Sequence, residues 1–216
     1  TQCNTTNCLL SEGDVTLTLE DYLVGKVKNE EDIIYPVHFA EETKSKIKVI
    51  PASSYIDSHN ITDNYKLKKL LDKLDNDFDY CLIDCTPYLA PMTLMGFCAS
   101  RYVVTITELD TDSVMGYSLL IDEINSVKQQ GYNETVELLG MVANKYMKND
   151  KVGNYILDQF NQIAGSSMFD TKVRNARIMK QARFFGMPIC YFQSSADICG
   201  DYKSLTKEII KRIGDK

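Results

Sequence analysis

Asp84 closes the run Tyr80-Cys-Leu-Ile-Asp-Cys-Thr-Pro87, in which an apolar stretch leads directly to one acidic side chain. A short apolar run bounded by a turn fits a buried parallel strand. In open α/β sheets ligands gather at the carboxyl ends of the strands. In phosphate-binding proteins a carboxylate there commonly holds Mg²⁺, directly or through water. Thr86 and Pro87 would shape the turn beside it. Taken alone, the run is equally a core strand followed by a turn with an incidental Asp.

A second group of residues carries charge. Lys172, Arg174, Arg177, Lys180 and Arg183 place five cations in twelve residues, with no acidic residue among them. Arg177, Lys180 and Arg183 recur every three residues, so a helix would bring them near one face. Cations spaced this way neutralise phosphates and release counterions. The same pattern also suits a solvated helix face. The net charge of −6 argues against a surface that binds nucleic acid all over, but is compatible with a local basic patch.

Other residue types offer less. His38 and His59 are isolated and lack the partners of a nucleophile relay. Seven cysteines, Cys3, Cys8, Cys81, Cys85, Cys98, Cys190 and Cys199, form no Cys-x-x-Cys. They read as reduced, mostly buried thiols of a cytosolic protein. Cys81 and Cys85, on a strand running into a turn, do not converge on a metal.

The elements that must position these groups follow from periodicity. At 216 residues, 44% hydrophobic and 25% charged, one α/β domain is expected. No apolar run approaches the roughly 20 residues of a membrane span. Lys66–Asp77 carries Leu67, Leu70, Leu71 and Leu74 at helical spacing. Tyr80–Asp84 reads as a strand, Met92–Ala99 as a short helix, Tyr102–Thr107 as the next strand. Ser113–Gln129 is a helix stopped near Gly131. Leu138–Ala143 is a strand. A helix capped by Asn149 or Asp150 carries Val152, Tyr155, Ile156 and Phe160. Ser167–Phe169 reads as a short strand, Asn175–Phe185 as a helix ending at Gly186, and Ser204–Ile213 as a final amphipathic helix packed on the sheet. Asn29–Lys48 reads as a helix plus an edge strand. The alternation predicts a doubly wound, mostly parallel α/β sheet flanked by helices.

Five short fragments then fall in a telling order. Asp84-Cys-Thr-Pro resembles the D-x-P-P strand end of the ParA/MinD family of deviant-Walker ATPases, which are P-loop NTPases. Gln2-Cys-Asn-Thr-Thr resembles the family's D-P-Q-G-N-x-T, entered one residue late. Val49-Ile-Pro-Ala-Ser resembles its "hIPss" segment. Thr107-Glu-Leu-Asp running on to Gly116-Tyr-Ser-Leu-Leu resembles its E-x-x-x-x-x-G-x-x-x-L strand and helix. Ala182-Arg-Phe-Phe-Gly-Met-Pro-Ile resembles its A-x-x-x-G-x-P-h.

The resemblance implies ATP or ADP and Mg²⁺ as ligands, with Asp84 holding the metal through water and Thr86 close to the phosphates. It implies that Asn144, after the strand Leu138–Ala143, meets adenine, since an amide supplies both donor and acceptor; a turn Asn suits the place too. It implies an ATP-bound homodimer that binds DNA non-specifically through Lys172, Arg174, Arg177, Lys180 and Arg183. A centromere-binding ParB-like partner, a cytoplasmic, nucleoid-associated location and no membrane contact complete the expectation. Two other readings stay open: a nucleotide-free relative acting as an interaction protein, and a MinD-like membrane-positioning ATPase. The family's K-G-G-x-G-K-[ST] loop has no match here; the one Gly-Lys pair, Gly25-Lys26, is followed by Val27. The resemblance therefore implies a single domain, residues 1–216, without its first strand, phosphate loop and first helix, and one that folds poorly alone.

Overall fold

The computed structural model describes residues 4–11, 13–53, 61–86 and 90–214. Gln2, Cys3, His59 and Pro87, all named above, lie outside the described residues. The chain divides into two compact units, Thr1–Ser100 with Ala182–Pro188, and Arg101–Gln181 with Ile189–Lys216.

The first unit is built from short pieces. Helix α1 spans Asn4–Leu9 and α2 spans Leu19–Leu23. Thr18 and Asp21 form a capping box at the start of α2, satisfying amides that the first turn leaves open. A single 3₁₀ turn, Glu30–Ile33, leads to strand β1, Tyr35–Pro36, which pairs antiparallel with β2, Lys48–Val49; α3, Ala40–Thr43, lies between them. The expected helix plus edge strand thus becomes a set of one-turn elements. Helices α4, Lys66–Leu74, and α5, Pro91–Ala99, follow. Leu67, Leu70 and Leu74 bury the inner face of α4 against Leu23, Ile33 and Met95, as their spacing predicts. Pro91 opens α5, where its missing N–H costs nothing.

Tyr80–Asp84 corrects the sequence reading. The segment forms no strand, and Leu82 is 93% exposed. Strand composition is necessary but not sufficient, because a strand exists only where its N–H and C=O groups meet a neighbour. Among the described residues no chain lies alongside it in a ladder.

The second unit contains the parallel sheet. Strand β3, Tyr102–Glu108, pairs with β4, Glu137–Asn144, in parallel register from Tyr102↔Glu137 to Glu108↔Asn144. The connection is α6, Thr111–Gln129, capped by Asp110, whose carboxylate accepts from the Ser113 amide at 2.9 Å. On its other edge β4 meets Met168 through a parallel bridge at Met141, and Tyr146, just beyond β4, makes a parallel bridge to Arg174. Ser167–Phe169, read as a strand, is instead a 3₁₀ turn, Gly165–Ser167, followed by one bridge.

Helix α7, Lys151–Ala164, covers β4 with Ile156, Leu157 and Phe160. Val152 and Tyr155, counted on that face from sequence, each remain 65% exposed because they sit on its flank. Helix α8 is Ile178–Phe184, shorter than the expected Asn175–Phe185, and α9 is Ile189–Phe192. Helix α10 runs Asp197–Gly214, starting seven residues before the expected Ser204. Cys190 and Cys199 are joined as a disulfide, and Cys81 and Cys85 are exposed, so the reading of buried, reduced thiols does not hold at these four positions.

Candidate functional site

Three sequence-distant fragments meet at α1. Thr5 Oγ1 donates to Asp84 Oδ2. One residue on, Thr6 Oγ1 accepts from the Ala52 amide at 3.3 Å, fixing the segment that follows β2. Adjacent threonines on one helical turn point in directions about 100° apart, so a single turn can serve two neighbouring segments. The carbonyl of Leu9, at the end of α1, accepts from the His38 amide at 2.9 Å. Gly186 closes against the same place. Its φ of +62° suits glycine, and a Cβ there would lie 2.8 Å from His38 Nε2 and 2.9 Å from the Cys8 carbonyl.

Asp84 thus stands exposed on a segment that forms no strand among the described residues, not at the end of the expected buried strand, with Thr5 as its described partner. Helix α5 packs beneath it through Gly96, where a Cβ would lie 3.0 Å from Cys85 Sγ and 3.7 Å from Ile83 Cγ2. Thr86 Oγ1 lies 3.4 Å from Thr93 Oγ1 on α5. The described donor set is one carboxylate with the Thr5 hydroxyl on it. Hard oxygens of this kind suit Mg²⁺, which binds through one or two carboxylates plus substrate phosphates and retained waters. Among the described residues no three His, Cys, Asp or Glu side chains gather to cage a metal, so Asp84 fits such a shared site and not an all-protein one.

The second unit brings a different pair together. Glu108 and Asn144 are cross-strand partners at the carboxyl ends of β3 and β4, where α/β sheets bind ligands. Lys145, in the left-handed region at φ +52°, turns its ammonium onto the Glu108 carboxylate. Asn144 itself is half-buried.

The basic residues do not act alike. Arg177 precedes α8, while Lys180 and Arg183 lie on it, all three exposed. Lys172 stands 5.8 Å from the centroid of the Tyr146 ring, in cation–π range. Arg174 is engaged. Its Nε and Nη2 donate to the two oxygens of Asp201 at 2.6 and 2.8 Å, and Nη1 donates to Asp197 at 2.9 Å. These hydrogen bonds hold the Asp201 carboxyl below its usual range. The acids come from α10, twenty-odd residues away, and no local charge pattern announces them. Thr5 was equally hidden, since it falls on the variable position of the fragment that flagged its neighbours.

Comparison with known proteins gives the family and the fold. Residues 1–138 match the family model described as an AAA domain. The chromosome-partitioning ATPase Soj of Treponema pallidum is 26% identical over 201 residues, covering 93% of this chain and 79% of Soj. Among solved structures, apo McdA of Cyanothece superposes with a TM-score of 0.81 at 18% identity, covering 96% of this chain and 84% of McdA. Cobyrinic acid a,c-diamide synthase of Mycobacterium smegmatis, solved with an ATP analogue and magnesium, superposes with a TM-score of 0.66 at 21% identity, over 82% of this chain and 72% of its own. At these identities the structures speak for the α/β P-loop fold.

Proposed function

We propose a function for a chain that belongs to the ParA/MinD family of deviant-Walker ATPases: a ParA-like partition ATPase that binds ATP with Mg²⁺, with residues 1–216 forming one nucleotide-binding domain. The observation that carries this reading is the meeting of three family-like fragments at α1, with Thr5 on Asp84 and Thr6 on Ala52. Partners that fix a carboxylate's direction matter where that carboxylate serves a metal.

In this proposal Asp84 orients a metal-bound water and Thr86 borders the phosphates. Mg²⁺, when bound, supplies charge neutralisation on the transferring phosphoryl group. Asn144 reads the adenine edge. Catalysis then rests on positioning and electrostatics. ATP binding favours a homodimer that holds DNA non-specifically and answers to a centromere-binding partner, in the cytoplasm on the nucleoid. Lys172, Arg177, Lys180 and Arg183 supply the DNA contacts, with Arg174 bracing their base through α10.

The experiment is ATP binding and Mg²⁺-dependent hydrolysis, measured on this chain and on one extended upstream in its reading frame. Hydrolysis that disappears in Asp84→Ala supports the assignment, and hydrolysis that persists ends it. Charge reversal at Arg177 and Lys180 tests the DNA arm. The slope of log affinity against log salt should fall by about 0.9 for each phosphate no longer neutralised. An unchanged slope removes these two residues from the interface.

A further inference from the structure

We infer that Thr5 is a positioning residue for Asp84, fixing which carboxylate oxygen is presented to a divalent cation. The inference rests on the assignment of Asp84 to the metal and goes beyond it. The Thr5 hydroxyl donates to Oδ2, which leaves Oδ1 as the oxygen with its lone pairs undirected by that contact. Asp84 is exposed, so nothing in its packing restricts rotation about its terminal torsion. A hydroxyl on one oxygen converts a freely turning carboxylate into one with a defined face. Thr5 can perform this because α1 is itself pinned: Thr6 is tied to Ala52 on one side, and the Leu9 carbonyl to the His38 amide on the other. The donor therefore belongs to an anchored helix and not to a loose loop.

The chemistry discriminates between orienting and merely capping the acid. A structural contact would change folding alone. An orienting one changes the affinity for the cation: partners that fix a direct ligand are worth about 10- to 100-fold in metal affinity, and because Asp84 acts through a water the effect of Thr5 belongs at the low end of that range. Serine keeps the hydroxyl and valine keeps the shape.

The test uses Mn²⁺ with ATP, titrated by EPR on the upstream-extended protein. Five forms are compared: the unsubstituted protein, Thr5→Ser, Thr5→Val, Asp84→Asn, and Thr5→Val combined with Asp84→Asn. Asp84→Asn alone serves as the reference. Thr5→Val should weaken Mn²⁺ about tenfold, Thr5→Ser should restore it, and Thr5→Val should add nothing once Asp84 is Asn. Hydrolysis should show the same split, with a raised Mg²⁺ requirement and a recovered kcat at high Mg²⁺. If Asp84→Asn weakens Mn²⁺ but Thr5→Val does not, the inference about Thr5 fails and the Asp84 assignment stands. If Asp84→Asn leaves Mn²⁺ binding unchanged, or the extended protein binds none, both fail. Far-UV circular dichroism checks that each variant is folded, and Thr5→Ala substitutes if the valine form is not.

Discussion

Arg212→Met should release the segment after α7 from the sheet. Arg212, in the last turn of α10, spreads its guanidinium across four backbone carbonyls. Nη1 donates to Leu139, Ser166 and Ser167 at 3.2, 3.2 and 3.4 Å, and Nη2 donates to Met168 at 2.6 Å. Nη2 also donates to Glu208 at 2.9 Å, and the group lies 4.0 Å from the centroid of the Phe169 ring. Glu208 in turn accepts from the amides of Asp170 and Thr171, each at 2.9 Å. The two bonds from Nη2 are short enough to count at full strength, whereas those from Nη1 are shared and long. Hydrogen bonds to charged groups contribute about 1.5–3 kcal/mol each. Methionine keeps the stem and part of the ring packing. With the side chain 20% exposed and water able to replace some donors, a loss of about 2–3 kcal/mol is expected. At 1.36 kcal/mol per tenfold, amides between Met168 and Val173 should exchange hydrogen roughly 30- to 150-fold faster. Hydrogen-exchange mass spectrometry reads this directly. Exchange within threefold of the unsubstituted protein would show that the Arg212 network does not hold this segment.

Gly140→Ala probes the same place from the strand: a Cβ would lie 2.5 Å from Phe169 Cε2 and 2.6 Å from the Ser167 carbonyl. The carbonyl belongs to the backbone and cannot swing away, so a cost of about 2–3 kcal/mol is expected in urea unfolding. Asp150 caps α7 by accepting from the amides of Val152 and Gly153, both at 3.0 Å; Asp150→Ala should cost about 1 kcal/mol, measured the same way. Glu208 supplies a pH dependence. Burial raises its carboxyl, but hydrogen bonds from Thr171, Asp170 and Arg212 outweigh it and hold it below the usual range. A depressed carboxyl contributes stability that is complete above its unfolded value, about 4.3, and is lost as pH falls through the folded value. Glu208→Gln should therefore be destabilising at pH 7, and the difference should shrink below about pH 4.

Where structure depends on neighbours in sequence, the residues told most of the story. Helices α4, α6 and α7 declare themselves by apolar spacing, and Asp150 by its cap chemistry. β3 and β4 read correctly because β-branched, apolar runs between turn residues have few alternatives. What escaped depends on distant partners. Tyr80–Asp84 has the composition of a strand but not the partner, and pairing is not written in the segment itself. The last helix is expected from Ser204, yet α10 starts at Asp197, where the Cys190–Cys199 bond and the Asp201–Arg174 pair hold the first turn from outside. Two cysteines nine residues apart carry no sign that the chain folds back between them. The site shows the same division. The ends of β3 and β4 could be placed from composition, whereas the exposed setting of Asp84, Thr5 on it and the acids on Arg174 required the fold.

The character of the Asp84 cluster limits what it can do unaided. A divalent cation about 4 Å from one carboxylate in water-like surroundings gains only about 2 kcal/mol of Coulomb energy, a dissociation constant of order tens of millimolar. Asp84 is exposed, and its described hydrogen-bond neighbour Thr5 adds a dipole but no charge. Such a site does not accumulate Mg²⁺ by itself. It gains affinity only when phosphate oxygens supply the remaining ligands, so the metal and the nucleotide arrive as one requirement. On the proposed assignment, Asp84 would respond to the metal–phosphate pair more strongly than to either alone. A second acid beside Asp84 would raise metal affinity and discard that selectivity, because the cation would then stay whether or not the phosphates were present.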